Sequence, residues 1–447
     1  MDSVCPLDYR YGREELKNIF GETQRLQFLL DVEAALARAH AKVGNIPKSA
    51  ADEITRKASI KYVKVEHVKK IEAETQHDII AVTRALAEVC NGDAGKYVHL
   101  GATSYDIVDT ANALQFAKST TYLQKGLNEL RKTLVNLAKK HKKTVMLGRT
   151  HGQHSIPITF GLKMGGYAME VDRHLERMHE CKSRLLVGKL SGAVGTGAAL
   201  GKNALKLQEE MLKELRLGIE NVSTQIVCRD RYCEFFGVLC NIASSMEKFA
   251  TEIRNLQRDE IREVAEAFES KKQVGSSTMP HKRNPITCEQ ICGLARLVRS
   301  YASPAYENAI QWHERDLCNS AGERFILPHS IILSDWIVYK TNNVFKNLKV
   351  FPERMKKNIE ISKGLPMAES LMTTLISKGM GRGDAHELMR KISLEAVKQN
   401  KSLKEVFLVE NKKLKLLTGK EINDALNPEN YLGATDKIID CIIRRFN

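Results

Sequence analysis

A chain of 447 residues with 43% hydrophobic content is long enough for two or three cores. It has no run of about 18 apolar residues that would cross a membrane. Its ten cysteines form no C-x-x-C pair and lack histidines at zinc-finger spacing, so no metal finger, redox pair or disulfide framework is expected. The start, MDSVCP, lacks a charged segment followed by an apolar one, so no secretory leader is expected and reduced thiols point to the cytoplasm. The formal charge of +15 leaves three explanations open: nucleic acid, an anionic small molecule, or solubility. Aromatic content of 6% and the lack of an RNA-binding motif weigh against nucleic acid.

Residues 14–43 form an amphipathic segment whose buried side is marked by Leu26, Leu29, Leu30, Val32, Leu36 and Ala39. It breaks at Gly44-Asn45-Ile46-Pro47, and shorter helices follow, with His77-Asp78 inside a helical pattern. The turn-rich NGDAG at 91–95 closes a first region near residue 98. Leu123, Leu127, Leu130, Leu134 and Leu137 then recur at four and three residues, and Leu239, Ile242, Met246, Phe249, Ile253 and Leu256 repeat the pattern. Such long runs predict neighbouring helices of an extended bundle, and no sheet is expected. The glycine-rich stretch 188–197 is weakly like a phosphate loop, but no Gly-Lys-Ser/Thr follows and no strand is expected before it. Pro352 interrupts the next segment, and a Lys-rich helical remainder completes the chain. The expectation is an all-α protein divided at 1–98, 99–347 and 348–447.

The densest chemistry lies at 275–285, GSSTMPHKRNP. Ser276 and Ser277 offer nucleophilic or basic oxygens, while Lys282 and Asn284 offer donors suited to a carboxylate. Gly275 can hinge, and Pro280 and Pro285 restrict the backbone. The preceding SKKQV at 270–274 is polar and shows no period, so this stretch reads as a mobile lid carrying its own chemistry. Four further polar clusters are THGQH at 150–154, His77-Asp78, the group His99, Thr103 and Ser104, and WHERD at 312–316 followed by Ser320 and Arg324. Taken singly, a structural histidine is the commoner reading of each.

Their joint order carries more. TQHDIIAVTRAL at 75–86, YVHLGATSYDIVDTA at 97–111 and GRTHGQHSIPITFGLK at 148–163 come first. KLSGAVGTGA at 189–198, STQ at 223–225, the 275–285 loop and WHERDLCNSAGER at 312–324 follow. Over nearly its whole length the chain resembles the fumarase/aspartase superfamily, in the form carried by adenylosuccinate lyases. The His-Lys-Arg-Asn-Pro version of the loop favours that branch, although 3-carboxymuconate cycloisomerases share it. One departure is Gln76, where many relatives have arginine before the His-Asp pair.

The resemblance implies a three-domain all-α fold with a central long-helix bundle. It also implies a homotetramer with a helical core and active sites shared between subunits, and the two leucine-rich seams are expected to pack there. The implied activity is β-elimination of fumarate from adenylosuccinate to give AMP, and from succinylaminoimidazole carboxamide ribotide (SAICAR) to give AICAR, with no metal or organic cofactor. By the same resemblance Ser276 is the base, with Ser277 its close rival and otherwise a carboxylate ligand beside Lys282 and Asn284. His151 matches the general acid, while His77 and His99 orient substrate with Asp78 beside them. Arg10, Tyr11, Arg315, Ser320 and Arg324 match positions that hold phosphate and ribose, and Thr103, Ser104 and Gln225 fit succinyl and base contacts. No nucleic acid and no membrane are implied as partners. The alternatives are another superfamily lyase or a cycloisomerase and, outside enzymes, a basic helical scaffold or RNA-binding protein.

Overall fold

Long runs of apolar residues at three- and four-residue spacing wind most of the chain into helix, as the computed structural model shows for residues 3–267, 278–279 and 281–446. The longest helices are Ser104–Lys140, Cys318–Lys346, Asp230–Leu256 and Phe160–Leu185. The first, with 37 residues, spans about 55 Å at 1.5 Å per residue. The all-α expectation holds. Among the described residues, strand is confined to three two-stranded pairings.

The chain forms two compact units. The first comprises Met1–Leu127, Arg173–Glu247 and Cys292–Tyr339, and the second Asn128–Asp172, Lys248–Ile291 and Lys340–Asn447. Within the second, the helices from Ala368 onward gather a core of their own around Leu371, Leu375, Met389, Leu403 and Phe407. Two of these helices open with capping boxes, Ser402 with Glu405 and Thr418 with Glu421. Both are legible in the sequence as Ser/Thr followed three residues later by Glu.

Four expectations need correction. The 14–43 segment is two helices, Glu14–Phe20 and Glu22–Lys42, because Gly21 is extended and caps both. Pro352 starts a helix, Pro352–Ile361, at the position where a missing N–H costs nothing. Val187–Gly188 pairs with Gly218–Ile219, so a short strand does precede the glycine-rich stretch. Strands Val145–Thr150 and Gln153–Thr159 form an antiparallel hairpin that the periodicity did not reveal.

A fifth correction concerns the two leucine-rich seams. Every named residue from Leu123 to Leu134 and from Leu239 to Leu256 is buried within the single chain, and only Leu137 is partly exposed. These seams belong to the chain's own interior. They are not surfaces left over for other subunits.

Candidate active site

In the first unit, Gln76 takes the left-handed conformation (φ 53°) that ends helix Val65–Thr75, and His77 caps helix Asp78–Val89. The position that departs from the family pattern thus has a structural task. The His77 Nδ1 accepts a long hydrogen bond from the Ile80 N–H at 3.4 Å. Asp78 lies in the first helical turn, where the helix dipole favours a carboxylate. It accepts from the Ile79 N–H at 2.8 Å and from Arg324 at 2.6 Å. Arg25, Asp78, Tyr105, Ser320 and Arg324 line one small cavity. Burial and the Arg324 cation pull the Arg25 guanidinium below its ordinary value, against the opposing charge of Asp78.

Arg315 lies over the Tyr105 ring at 3.7 Å. Its three guanidinium nitrogens are buried, and none has a hydrogen-bond partner among the described residues. An unpaired buried cation costs far more than an unpaired neutral donor, so these five N–H groups call for an anionic acceptor from outside the described chain. Behind the cavity, buried Arg229 forks between Asp109 at 2.8 Å and Glu323 at 2.7 Å. That network holds the start of helix Cys318–Lys346, which bears Ser320 and Arg324.

His99 stands in the left-handed region (φ 62°). Its Nδ1–H donates to the Glu33 carboxylate at 2.6 Å, and its backbone N–H donates to the other Glu33 oxygen at 3.2 Å. Burial lowers the affinity of the imidazole for a proton, but the Glu33 charge and hydrogen bond, with Asp106 beyond, reverse the sign and raise it. Thr103 donates its N–H to Asp106 at 2.8 Å, and Ser104 begins helix Ser104–Lys140. Asp106 is wholly buried. It pairs with buried Lys189 and accepts the N–H groups of Ser191 at 3.0 Å and Gly192 at 3.1 Å. The glycine-rich stretch is therefore pinned to the helix that follows His99. Gln225 joins it by donating to the Ala193 carbonyl at 3.0 Å. Arg10, which is exposed, and half-buried Tyr11 contact each other at 3.2 Å, and no described contact joins them to Arg315 or Arg324.

In the second unit, His151 and Gly152 form the two-residue turn of the hairpin, with φ of 54° and 74°. Both values are positive, as a type I′ turn requires. The hairpin root is fixed: Arg149 donates twice to Glu263, at 2.9 and 2.7 Å, and Asn358 donates to the same carboxylate at 2.8 Å. His154 meets the Ser362 hydroxyl at 2.6 Å. The tip is bare, and His151 is exposed with no partner among the described residues. Exposed Lys282 and half-buried Asn284 line a basic cavity with Arg254, Arg258 and Arg354. Glu266 accepts the Cys288 N–H at 2.7 Å, and Gln257 donates to the Arg283 carbonyl at 3.0 Å, so the loop's later end is tied down. Ser276 and Ser277 lie outside the described residues.

The structure thus gathers Asp78, Ser320 and Arg324, joins Thr103 to the glycine-rich stretch through Asp106, and leaves Arg10 and Tyr11 apart. Sequence reasoning missed Arg25, Glu33, Lys189 and Glu263. The available signal for Glu33 was a single acid inside the apolar run VEAALA at 32–37. Among the described residues, no group of three or more His, Cys, Asp or Glu could hold a metal ion.

Residues 8–300 match the family described as Lyase, and residues 364–442 match the one described as Adenylosuccinate lyase C-terminus. The adenylosuccinate lyase of Pyrococcus abyssi is 51% identical over 99% of this chain and 97% of its own length. That of Methanocaldococcus jannaschii is 46% identical over 99% and 96%. A fumarate lyase from Mesorhizobium sp. BNC1 superposes with a TM-score of 0.90 at 32% identity, covering 97% of this chain and 98% of that one. The 3-carboxy-cis,cis-muconate lactonizing enzyme of Pseudomonas putida does so with a TM-score of 0.90 at 32% identity, covering 98% and 99%.

Proposed function

The chain belongs to the adenylosuccinate lyase family, and from that premise we propose how its residues divide the reaction. It is a C–N lyase that releases fumarate. In adenylosuccinate the succinyl group is joined through nitrogen to the purine. Elimination removes a Cβ proton, passes its electron pair into the new carbon–carbon double bond, and returns the C–N pair to the departing nitrogen. Ser276 takes the proton, or Ser277 does in its place. Lys282 and Asn284 hold the adjacent carboxylate, on which negative charge accumulates. His151 donates the proton that the nitrogen needs on leaving as AMP. SAICAR carries the succinyl group on a carboxamide nitrogen and gives AICAR by the same steps. No step uses a metal or an organic cofactor.

The phosphate end falls to Arg315, Ser320 and Arg324, with Arg10 and Tyr11 contributing. A dianionic phosphate suits planar guanidinium forks. It would share Arg324 with Asp78, while His77, Thr103, Ser104 and Gln225 meet the base and succinyl groups. The observation that carries this reading is Arg315, whose buried donors have no described acceptor and whose ring partner Tyr105 fixes its plane. A dianionic phosphate brings enough acceptor oxygens to answer those donors. The exposed His151 supports a homotetramer in which this residue serves a site on another chain. The segments 1–98, 99–347 and 348–447 then act as phosphate arm, helix bundle and small helical domain. We place the protein in the cytoplasm, with no nucleic-acid partner. No described helix is long and apolar enough to cross a membrane.

The test is ultraviolet absorbance of the purified protein with adenylosuccinate, fumarate, aspartate and a carboxymuconate in parallel. Conversion of adenylosuccinate with one fumarate released per AMP is expected. Turnover of carboxymuconate in its place would overturn the assignment.

A further inference from the structure

Glu33 sits on helix Glu22–Lys42 among Leu29, Leu30, Val32 and Leu36, with its side chain wholly buried. A carboxylate in such surroundings is costly unless it is paired and hydrogen-bonded. Both oxygens are used on one residue, His99: one receives the ring Nδ1–H and the other the backbone N–H. His99 also adopts a backbone conformation that a side chain with a Cβ resists, so something must hold it there. The next residue is held by the same helix. Seven positions after Glu33, buried His40 donates its Nε2–H to the Leu100 carbonyl at 2.9 Å, while Asn45 donates to the His40 Nδ1 at 3.0 Å. Gly101 follows at φ 70°, packed so closely on Leu200 and Ala199 that a Cβ would clash. On the far side Asp106 holds Thr103.

Two consequences follow for the ring. Its Nδ1 is occupied, so Nε2 is the nitrogen left to meet a ligand, and it has no hydrogen bond among the described residues. The charges that face the ring are Glu33 from one helix and Asp106 from the other. Asp106 is already neutralised by Lys189, so Glu33 is the charge that stabilises the imidazolium form. A protonated ring presents Nε2–H as a charged donor, which suits an oxyanion of the substrate, either a succinyl carboxylate or the phosphate.

We infer that Glu33 is a positioning residue for the elimination, aiming His99 so that its Nε2–H is a cationic donor to a substrate oxyanion. The inference rests on the reading above that His99 faces substrate. Glu33→Gln keeps an acceptor for Nδ1–H and removes the charge. Its kcat/KM for adenylosuccinate should fall about 10- to 100-fold, and the alkaline limb of the pH profile should move to lower pH. Glu33→Ala should fall further, and in a His99→Ala background Glu33→Gln should no longer move the limb. A merely structural Glu33 would lower the amount of folded enzyme and leave the limb in place, and that result would overturn the inference. Should Glu33→Gln fail to fold, His99→Gln removes the titrating ring and must abolish the same limb; a limb that persists also overturns it. Wild-type protein inactive on adenylosuccinate would instead sink the functional reading itself.

Discussion

His99 and His151 share a backbone conformation, with φ of 62° and 54°, yet their surroundings are opposite. His99 is closed in by its own chain: Glu33 takes two of its donors, and Leu100 and Thr103, which follow it, are tied to two helices. His151 is held only from below. The bidentate Arg149–Glu263 pair and the His154–Ser362 contact fix the root of its hairpin, while the imidazole points from an exposed turn with no described partner. A rigid root with a bare tip is what a residue needs when the group it serves belongs to another surface. A closed ring with one free nitrogen is what a residue needs when it must present a single donor in a fixed direction.

The largest expected effect separates the two histidines by chemistry. His151→Ala should lower kcat by about 10²- to 10⁴-fold, as loss of a general acid does, with KM little changed. A leaving group that needs no proton should recover much of that rate, whereas His99→Ala should show no such recovery. Next comes the hairpin root. Glu263→Gln leaves Arg149 beside a neutral partner and should cost about 3 kcal/mol in denaturant unfolding, with kcat falling alongside. An unchanged midpoint would mean that the root does not hold the tip.

In the same compact unit as His99, the buried guanidinium of Arg315 has no described acceptor. Arg315→Met should raise KM for adenylosuccinate about 10- to 100-fold and leave kcat close to wild type. A dephosphorylated substrate should barely sense the change, and equal losses on both would contradict a phosphate role.

The smallest effect is the pH dependence of stability at His99. Its folded affinity for protons is raised, so the stabilisation from the Glu33 pair is complete below the ordinary imidazole value near 6.5. It is lost as pH rises through the higher folded value. The stability gap between wild type and Glu33→Gln should therefore narrow across that window in denaturant titrations. A gap that widens with pH would reverse the assigned sign.

Much of this was legible before any coordinates, and the pattern of what was not has a physical cause. Helices with seams such as Leu239 to Leu256 announce themselves because burial repeats with the helical turn. The motif strings marked His77, His99, His151 and Arg315 as residue types. Charged pairs leave no such local trace: Glu33 lies 66 residues from His99, and Glu263 lies 114 residues from Arg149. The hairpin hid for another reason. Gly148 and Pro157 interrupt its strands, and its turn is His-Gly in place of the more familiar Asn-Gly. Gln76 shows the converse, since the position that departs from the family pattern ends a helix in a left-handed conformation that the sequence alone did not mark.

The contrast between the closed and the open histidine is tested most directly by subunit mixing. Purified His99→Ala and His151→Ala proteins, each nearly inactive, are allowed to exchange subunits, and adenylosuccinate cleavage is followed against mixing ratio. If the bare tip of one chain serves the closed site of another, hybrids regain a substantial share of wild-type activity, greatest near equal proportions. Hybrids shown to have formed, yet inactive at every ratio, would contradict the account.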